Sequence, residues 1–420
     1  MIFNNSLNFI NNSFIFFKKR IRSLYLNSNI YNKKITPSII GSLEYRPSPS
    51  LLDSLIKYDK IKINIEKYSL NNIWDNKRLI SKDFKNLNSF FWLFSLDLKS
   101  SKKDIQKVIQ QWIDKNHRYS SKSWEVDIVA KRIIAWTSNS RLTYEDGSPN
   151  YKDNFNSIIK KQINYLIDEI ERSDWVNDKM IGCAAVILTG LSYQDKNSYL
   201  DKGLNLLKKF VKYSLDNDGF PKSRNIRQLN FYLKYFILIR EWLRESQSEI
   251  PDHINENIYY LGQAYAFTWK NNKVDLLFNG NHETNNNDFD RYLKKLGYNF
   301  KCQSNELGGY AILNNKKNSL IMDIGASPDK KFSSNYQAGA MSFEIVSSGK
   351  KLICNSGYFQ NYTHQLNELS KSSAIHSTLV LDDRSSCKFS KKKNSSSKIS
   401  QGLKILKKNI IFEKNYWKIN

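Results

Sequence analysis

The chain has little of what small secreted, metal-bound or membrane-spanning proteins lean on. Its 420 residues include four cysteines, seven prolines, 16 glycines and five histidines. The cysteines (Cys183, Cys302, Cys354, Cys387) are scattered without a C-x-x-C pair. That spacing argues against a disulfide framework or a thiolate zinc site and leaves four small apolar residues for packing. Scarce glycine and proline exclude collagen-like and proline-rich architectures. No run approaches the roughly 18 uncharged apolar residues that a membrane-spanning helix needs, so a soluble chain without a transmembrane segment is expected. The histidines (His117, His253, His282, His364, His376) form no H-E-x-x-H or H-x-H pair, so spacing gives no metal site. Also missing are G-x-S-x-G and a glycine-rich phosphate loop, which argues against serine-hydrolase and nucleotide chemistry.

What is present is apolar mass and positive charge. Apolar residues make up 40% and aromatics 13%, with nine Trp, 24 Tyr and 23 Phe, which is enough for large cores and excludes wholesale disorder. The length suits two domains. Lys and Arg number 65 against 40 Asp and Glu, a formal charge of +25. Such a balance favours an acidic partner, but Lys, Asn and Ile are frequent throughout, so compositional drift explains it equally. The densest basic runs, Lys18-Lys19-Arg20 and Lys391-Lys392-Lys393, are short. Met1 to Phe17 is apolar, broken by five Asn, and precedes its basic run, the reverse of a secretory signal. The compartment (cell envelope, periplasm or cytoplasm) and the oligomeric state stay open.

The hydrophobic period divides the chain. From about 86 to 270 it is helical: Ile105, Val108, Ile109, Trp112 and Ile113 share one face, as do Ile128, Arg132, Ile133 and Trp136. Further helices are expected near 154–171, 178–191, 199–216, 226–245 and 254–269, separated by turns such as Asp146-Gly-Ser-Pro and Asp216-Asn-Asp-Gly. After about 305 the segments Gly309-Tyr-Ala-Ile-Leu, Ser319-Leu-Ile-Met-Asp-Ile, Met341-Ser-Phe-Glu-Ile-Val, Lys351-Leu-Ile-Cys-Asn and Ser377-Thr-Leu-Val-Leu-Asp read as short strands. Helices followed by strands argue for an α + β multidomain chain. Residues 1–70 are read as a partly irregular lead-in and 71–285 as an α/α toroid of helical hairpins. Residues 286–420 are read as an antiparallel β-sandwich, apparently truncated, with Thr284 to Asp290 as the junction and Ser395-Ser396-Ser397 interrupting the strands.

Four segments could carry chemistry. In Asp174-Trp-Val-Asn-Asp-Lys-Met-Ile-Gly-Cys-Ala-Ala, Asn177, Asp178 and Lys179 open a helix of unusually small residues, either as a cap or facing a cavity. In Asp218-Gly-Phe-Pro-Lys-Ser-Arg-Asn, Arg224 suits bidentate contact with a carboxylate, and Asn225 suits a cap or a ligand. In Asn335-Tyr-Gln-Ala-Gly-Ala-Met-Ser-Phe-Glu, Tyr336 and Gln337 precede a strand, packed or exposed to a site. In Ala374-Ile-His-Ser-Thr-Leu, His376 stands beside hydroxyls, structural or catalytic.

In this order the segments resemble the heparinase II/III-like family of polysaccharide lyases, most of all a bacterial branch of it. The resemblance runs from about 70 to 390. It also includes Asn88-Ser-Phe-Phe-Trp-Leu, Trp124-Glu-Val-Asp-Ile-Val-Ala-Lys-Arg, Leu277-Phe-Asn-Gly and Asn355-Ser-Gly. It implies an N-terminal α/α toroid, a C-terminal β-sandwich and β-elimination on a uronate-containing acidic polysaccharide. No redox cofactor or nucleotide is implied. Such chemistry needs donors that neutralise the uronate carboxylate and a His or Tyr that removes the C5 proton. Carried over, the resemblance gives His376, Arg224, Tyr336 and Asn177 as catalytic, and Asn225, Gln337, Lys179 and Tyr232 as substrate-binding. Departures stand beside it. Asp178-Lys179 replaces an expected Asn-His pair, Gln228 falls where a Tyr is expected (Tyr232 lies one turn on), and Gln337 replaces a His. Gln337 and Asn355 would also make poor ligands for an inherited zinc, so no metal is expected.

Three alternatives stay open at this level. One is a catalytically degenerate glycan-binding or structural cell-envelope protein on the same scaffold. Another, nucleic-acid binding, rests on charge alone without an aromatic-basic groove motif and is not expected. A toroid glycoside hydrolase would need two facing carboxylates, for which no pair stands out.

Overall fold

The computed structural model describes residues 14, 17–38, 41–52, 73–75, 81–96, 101–193, 199–270, 273–284, 286–315, 317–392, 395–412 and 417–419. Most of the apolar lead-in, residues 1–13 and 15–16, lies outside them. The chain forms two compact units, Met1–Lys209 with Leu238–Ile250, and Phe210–Ile237 with Pro251–Asn420.

Short helices (17–26, Asn29–Ile35 and Ser81–Ser89) lead into the main helical series. These are α1 (Lys102–Asn116), α2 (Val126–Ser138), α3 (Pro149–Glu169), α4 (Val176–Ser192), α5 (Tyr199–Ser214), α6 (Ile226–Glu245), α7 (Asp252–Tyr265) and α8 (Asn287–Lys295). Helix α1 starts where Ser101 Oγ accepts the Asp104 N–H at 3.3 Å. It buries the face read from its period, Ile105, Val108, Ile109, Trp112 and Ile113. Around it Phe90, Trp92, Trp112, Trp136 and Phe155 form chained stacked and edge-on pairs at 5.0–6.3 Å.

Arg132, expected on an apolar face, is fully buried there. Its guanidinium lies 4.0 Å over the Trp112 ring and donates to Gln162 Oε1, Asn88 O and Ser123 O at 2.8–3.2 Å. Hydrogen bonds and a ring face thus take the place of a carboxylate partner.

The small residues of α4 do what their size permits. A methyl on Gly190 would stand 2.3 Å from the Leu200 backbone nitrogen, and one on Gly182 would stand 2.7 Å from Ile170 Cγ1. Gly190→Ala is therefore expected to cost about 1–3 kcal/mol through overpacking. Urea unfolding of the variant measures it, and an unchanged midpoint would show that the α4–α5 contact relaxes freely.

In the second unit, β1 (Glu306–Leu307), β2 (Tyr310–Asn314), β3 (Asn318–Asp323), β4 (Phe343–Ser347) and β5 (Lys350–Ile353) form an antiparallel meander in chain order. Tyr310 faces Asp323 across one pair, and Met322 faces Phe343 across the next. Two hairpins follow, β6 (Lys388–Lys392) with β7 (Ser395–Gln401) and β8 (Ile410–Phe412) with β9 (Trp417–Ile419). A small core of Tyr336, Ala338, Cys387 and Ile399, flanked by Phe389, lies under the first hairpin.

Helices followed by an antiparallel sheet are the fold class read from the period change. Four local expectations are corrected. Ser377-Thr-Leu-Val-Leu-Asp is not a strand: Phe343 N–H takes the Ser377 carbonyl, Thr378 N–H bonds back to His376, and Leu379 and Leu381 stand 70% and 68% exposed. The hydrophilic junction opens α8. Ser395-Ser396-Ser397 begins β7 instead of breaking the strands, and the hydroxyls of Ser396 and Ser397 serve a buried lysine. The Lys371 ammonium donates to Ser334 O, Ser396 Oγ and Ser397 O at 2.7–2.9 Å. Finally, Cys183 and Cys387 are buried, but Cys302 is half-buried and Cys354 exposed.

Candidate functional site

The chain enters α6 through a strained turn. Leu215 bridges Pro221, and Arg224 takes a left-handed φ of +59°, uncommon for a residue with a Cβ and sustained by strong local bonding. That bonding is extensive. A guanidinium has five N–H donors, and Arg224 uses them on Gly308 O, Gly309 O, Gly325 O, Ala326 O and Asp323 Oδ1, at 2.6–3.2 Å. Burial opposes its charge, but Asp323, 1% exposed, outweighs that and holds the guanidinium charged. Gly309 and Gly325 are needed here, since a Cβ on either would meet the guanidinium at 2.4–2.8 Å. The role read for Arg224, holding a substrate carboxylate, is corrected: every donor is already spent inside the protein.

The clamp continues inward. Tyr310 Oη donates to the Arg224 carbonyl and accepts from Asn279 Nδ2, each at 2.7 Å, and Asn279 Nδ2 also reaches Asp323 Oδ2 at 2.9 Å. Next to Asn279, the Gly280 N–H donates to Gln337 Oε1 at 3.1 Å. Gln337 Nε2 donates to the carbonyls of Gly357 at 3.0 Å and Ser370 at 2.7 Å. The His376 ring lies close enough to the Ser370 backbone and to Asp323 for both to favour its charged form. His376 follows the short turn Ser373–Ile375, beside Gly339, whose missing Cβ would lie 3.6 Å from Cγ. Its Nε2 is buried with no partner among the described residues. Burial first of all, against smaller opposing effects of Ser370 and Asp323, lowers the imidazole to about 4, so the ring is neutral at pH 7.

The other expected residues divide plainly. Asn225 caps α6, its Oδ1 accepting from Arg227 N at 2.9 Å and Gln228 N at 3.2 Å. Tyr336 belongs to the small core, and burial raises its phenol so that it stays protonated. Tyr232 is fully buried, edge-on to Phe210 at 5.0 Å, and is a packing residue instead of the substitute hydroxyl expected of it. Gln337 ties backbone and presents no free end. In the first unit, Trp175 caps α4, so Asn177 lies inside the first turn, half-buried. Lys179 is buried with Nζ on the Glu171 carbonyl at 2.5 Å. Asp178 accepts from Ser173 Oγ at 3.1 Å and is pushed up to about 7 by burial and the Asp127 charge.

The zinc site of the resemblance does not fit these side chains. The Gln337 oxygen accepts Gly280 N–H and the Asn355 Oδ1 accepts Ser377 N–H, so neither offers a free ligand atom. Among the described residues no three His, Cys, Asp or Glu side chains gather.

Stability should follow the histidines. His376 and His282 both lie at about 4, chiefly through burial, below the ordinary 6.5. Between those values the unfolded chain binds the extra histidine protons, so their contribution to stability should climb as pH rises from about 4 to 6.5, against an opposite slope from Asp178, whose carboxyl is raised to about 7. Urea midpoints across that range check this, and the double variant His282→Gln/His376→Gln should remove the rising part.

Comparisons with known proteins agree with the geometry. Residues 303–418 match the family model described as heparinase II/III-like, C-terminal. Among solved structures, heparinase III shares the fold with a TM-score of 0.59 at 14% identity, over 88% of this chain and 70% of that one. The heparan sulfate lyase HepC from Pedobacter heparinus matches with a TM-score of 0.56 at 15% identity, over 76% of this chain. The chain spans 58% of the length of HepC. No curated protein matches in sequence. Among the described residues no helix is long and apolar enough to cross a membrane. At these identities the structural likeness is one of fold, that of a polysaccharide lyase-like scaffold with an α/α toroid and an antiparallel β-sandwich. Within that scaffold, residues 303–418 are similar to heparinase II/III-like C-terminal domains.

Proposed function

We propose that the chain is a carbon–oxygen lyase acting by β-elimination on a uronate-containing acidic polysaccharide, with His376 as the proton-transfer residue. One observation carries this reading: a neutral imidazole whose Nε2 is buried without a partner among the described residues. The C5 proton passes to Nε2, its electron pair forms the C4=C5 double bond, and the C4–O bond breaks. The departing 4-oxygen then takes the proton back from the imidazolium, which burial makes a strong acid. A free imidazole of such low proton affinity is a weak base. The uronate carboxylate corrects this on arrival, because a nearby anion favours the charged ring. The charge of +25 supports an acidic substrate.

The test is incubation of the purified chain with a panel of uronate polymers while following the absorbance of the unsaturated uronate. Product on one polymer is expected. A flat trace on all of them, with the protein folded, overturns the reading. A non-catalytic glycan-binding role is the second reading, favoured by the engaged donors of Arg224 and the buried hydroxyl of Tyr232. Binding of an acidic glycan without product would select it.

A further inference from the structure

The helix at 17–26, in the first unit, has two faces of opposite character. One face seats it on its unit. Leu26 is buried, the Arg22 Nε–H donates to Glu169 Oε1 at 2.9 Å, and the Lys19 ammonium meets Asp174 Oδ2 at 2.5 Å. Arg22 also lies over the Tyr25 and Tyr31 rings at 5.0 and 5.6 Å. The other face carries Phe17, Ile21 and Leu24, whose spacing of four and then three residues makes one apolar stripe. They stand 60%, 50% and 67% exposed. Phe14, one turn earlier, is exposed too and carries the Lys18 ammonium over its ring at 4.4 Å. Large apolar side chains gathered on one exposed stripe mark a contact surface, whereas scattered ones do not.

Charge supplies an independent observation. From 14 to 36 the sequence holds six cations, Lys18, Lys19, Arg20, Arg22, Lys33 and Lys34, and no acid. Asp174, Glu169 and Asp168 answer Lys19, Arg22 and Lys34. Lys18, Arg20 and Lys33 are exposed and make no ion pair among the described residues. At about 100° per residue, Lys18 falls on one edge of the apolar stripe and Arg20 on the other. The surface is thus apolar along its middle and cationic along both rims. A second copy of the chain would set like charges against each other, and a nucleic acid would leave the stripe in water. An anionic bilayer meets both demands, because its acyl boundary takes the apolar stripe while its headgroups take the rims. Lys and Arg stems are long enough to reach back to the phosphates from such a position.

We propose that helix 17–26 docks in the plane of an anionic lipid bilayer, with Phe17, Ile21 and Leu24 at the acyl boundary and Lys18 and Arg20 on the headgroup phosphates. The helix lies on the bilayer and does not cross it. So short a stripe gives reversible attachment, weakened by salt because the cations are exposed. No residue of the proposed elimination takes part, so a flat elimination assay leaves the docking standing, and lost docking leaves the elimination standing.

The experiment is flotation of the full chain with two sets of vesicles, phosphatidylcholine alone and equal parts phosphatidylcholine and phosphatidylglycerol. Binding to the mixed vesicles is expected, about tenfold or more tighter than to phosphatidylcholine. The triple variant Phe17→Gln/Ile21→Gln/Leu24→Gln should weaken it by about tenfold or more, the order expected when three apolar side chains no longer leave water. Its urea midpoint should not move, since the replaced side chains are exposed. Lys18→Gln/Arg20→Gln should cost about tenfold on the mixed vesicles and little on phosphatidylcholine. The proposal is overturned if the parent does not float with the mixed vesicles, or floats equally with both sets. It is equally overturned if the triple variant floats like the parent, which would reduce the binding to general adsorption of a basic chain. A concentration-dependent dimer that the triple variant abolishes, without flotation of the parent, would overturn it too and give the stripe to a second copy.

Discussion

Arg224→Ala is expected to destabilise the second unit by about 3–5 kcal/mol, the cost of stranding a buried charge by removing its partner. Asp323, 1% exposed, would keep only Asn279 Nδ2 and the Gly325 N–H as donors. The carbonyls of Gly308, Gly309, Gly325 and Ala326 would lose their shared donor at the same time. Arg224→Lys should recover little, since an ammonium has three donors against five acceptors and no planar fork. Hydrogen exchange of the β2 and β3 amides, with urea unfolding, reads the loss. Wild-type protection in Arg224→Ala would show that the ion pair does not hold the turn to the sheet. Replacing both partners by apolar residues, Arg224→Met with Asp323→Leu, should restore part of the loss, because no uncompensated charge then remains.

The second large effect concerns chemistry. His376→Gln is expected to lower the elimination rate by about 10²–10⁴, the usual worth of a positioned proton-transfer group. The amide approximates the imidazole in size but has no basic lone pair, so fold and glycan binding should persist while product formation falls. In the parent, the rate should rise with pH through the imidazole's value, which lies at about 4 in the free protein and higher with an anion beside it. A variant as active as the parent would remove His376 from the mechanism. An acid limb unchanged in His376→Gln would assign that limb to another group, and Asp178, pushed up to about 7, would be the one to examine.

The helices were legible because their burial is periodic: the α1 face from Ile105 to Ile113 is the buried face, and α6 spans the range its pattern gave. Four of the five expected strands were legible for the same reason. The fifth was not, since β-branched composition marks a strand only where a neighbour supplies ladder bonds, and Leu379 to Leu381 have none beyond the single Leu381–Arg384 bridge. At the site, residue type pointed to the right segments but not to the direction of their bonds. Arg224 and Gln337 carry ligand-binding chemistry that the fold consumes, and nothing local in the sequence distinguishes an inward guanidinium from an outward one. Asp323 was missed outright. Its signal was an acidic residue closing an apolar strand just before Gly325, a placement that costs free energy unless a cation waits inside.

Lys371 has one more implication. Its ammonium is sealed beneath the serines of β7 and brought down to about 8 by burial, so at mildly alkaline pH a good share of it is a nucleophilic free amine that no reagent can reach while the hairpin is seated. Acylation at this position has to wait for β6 and β7 to lift away, which makes the lysine a built-in clock for how often that edge of the domain breathes.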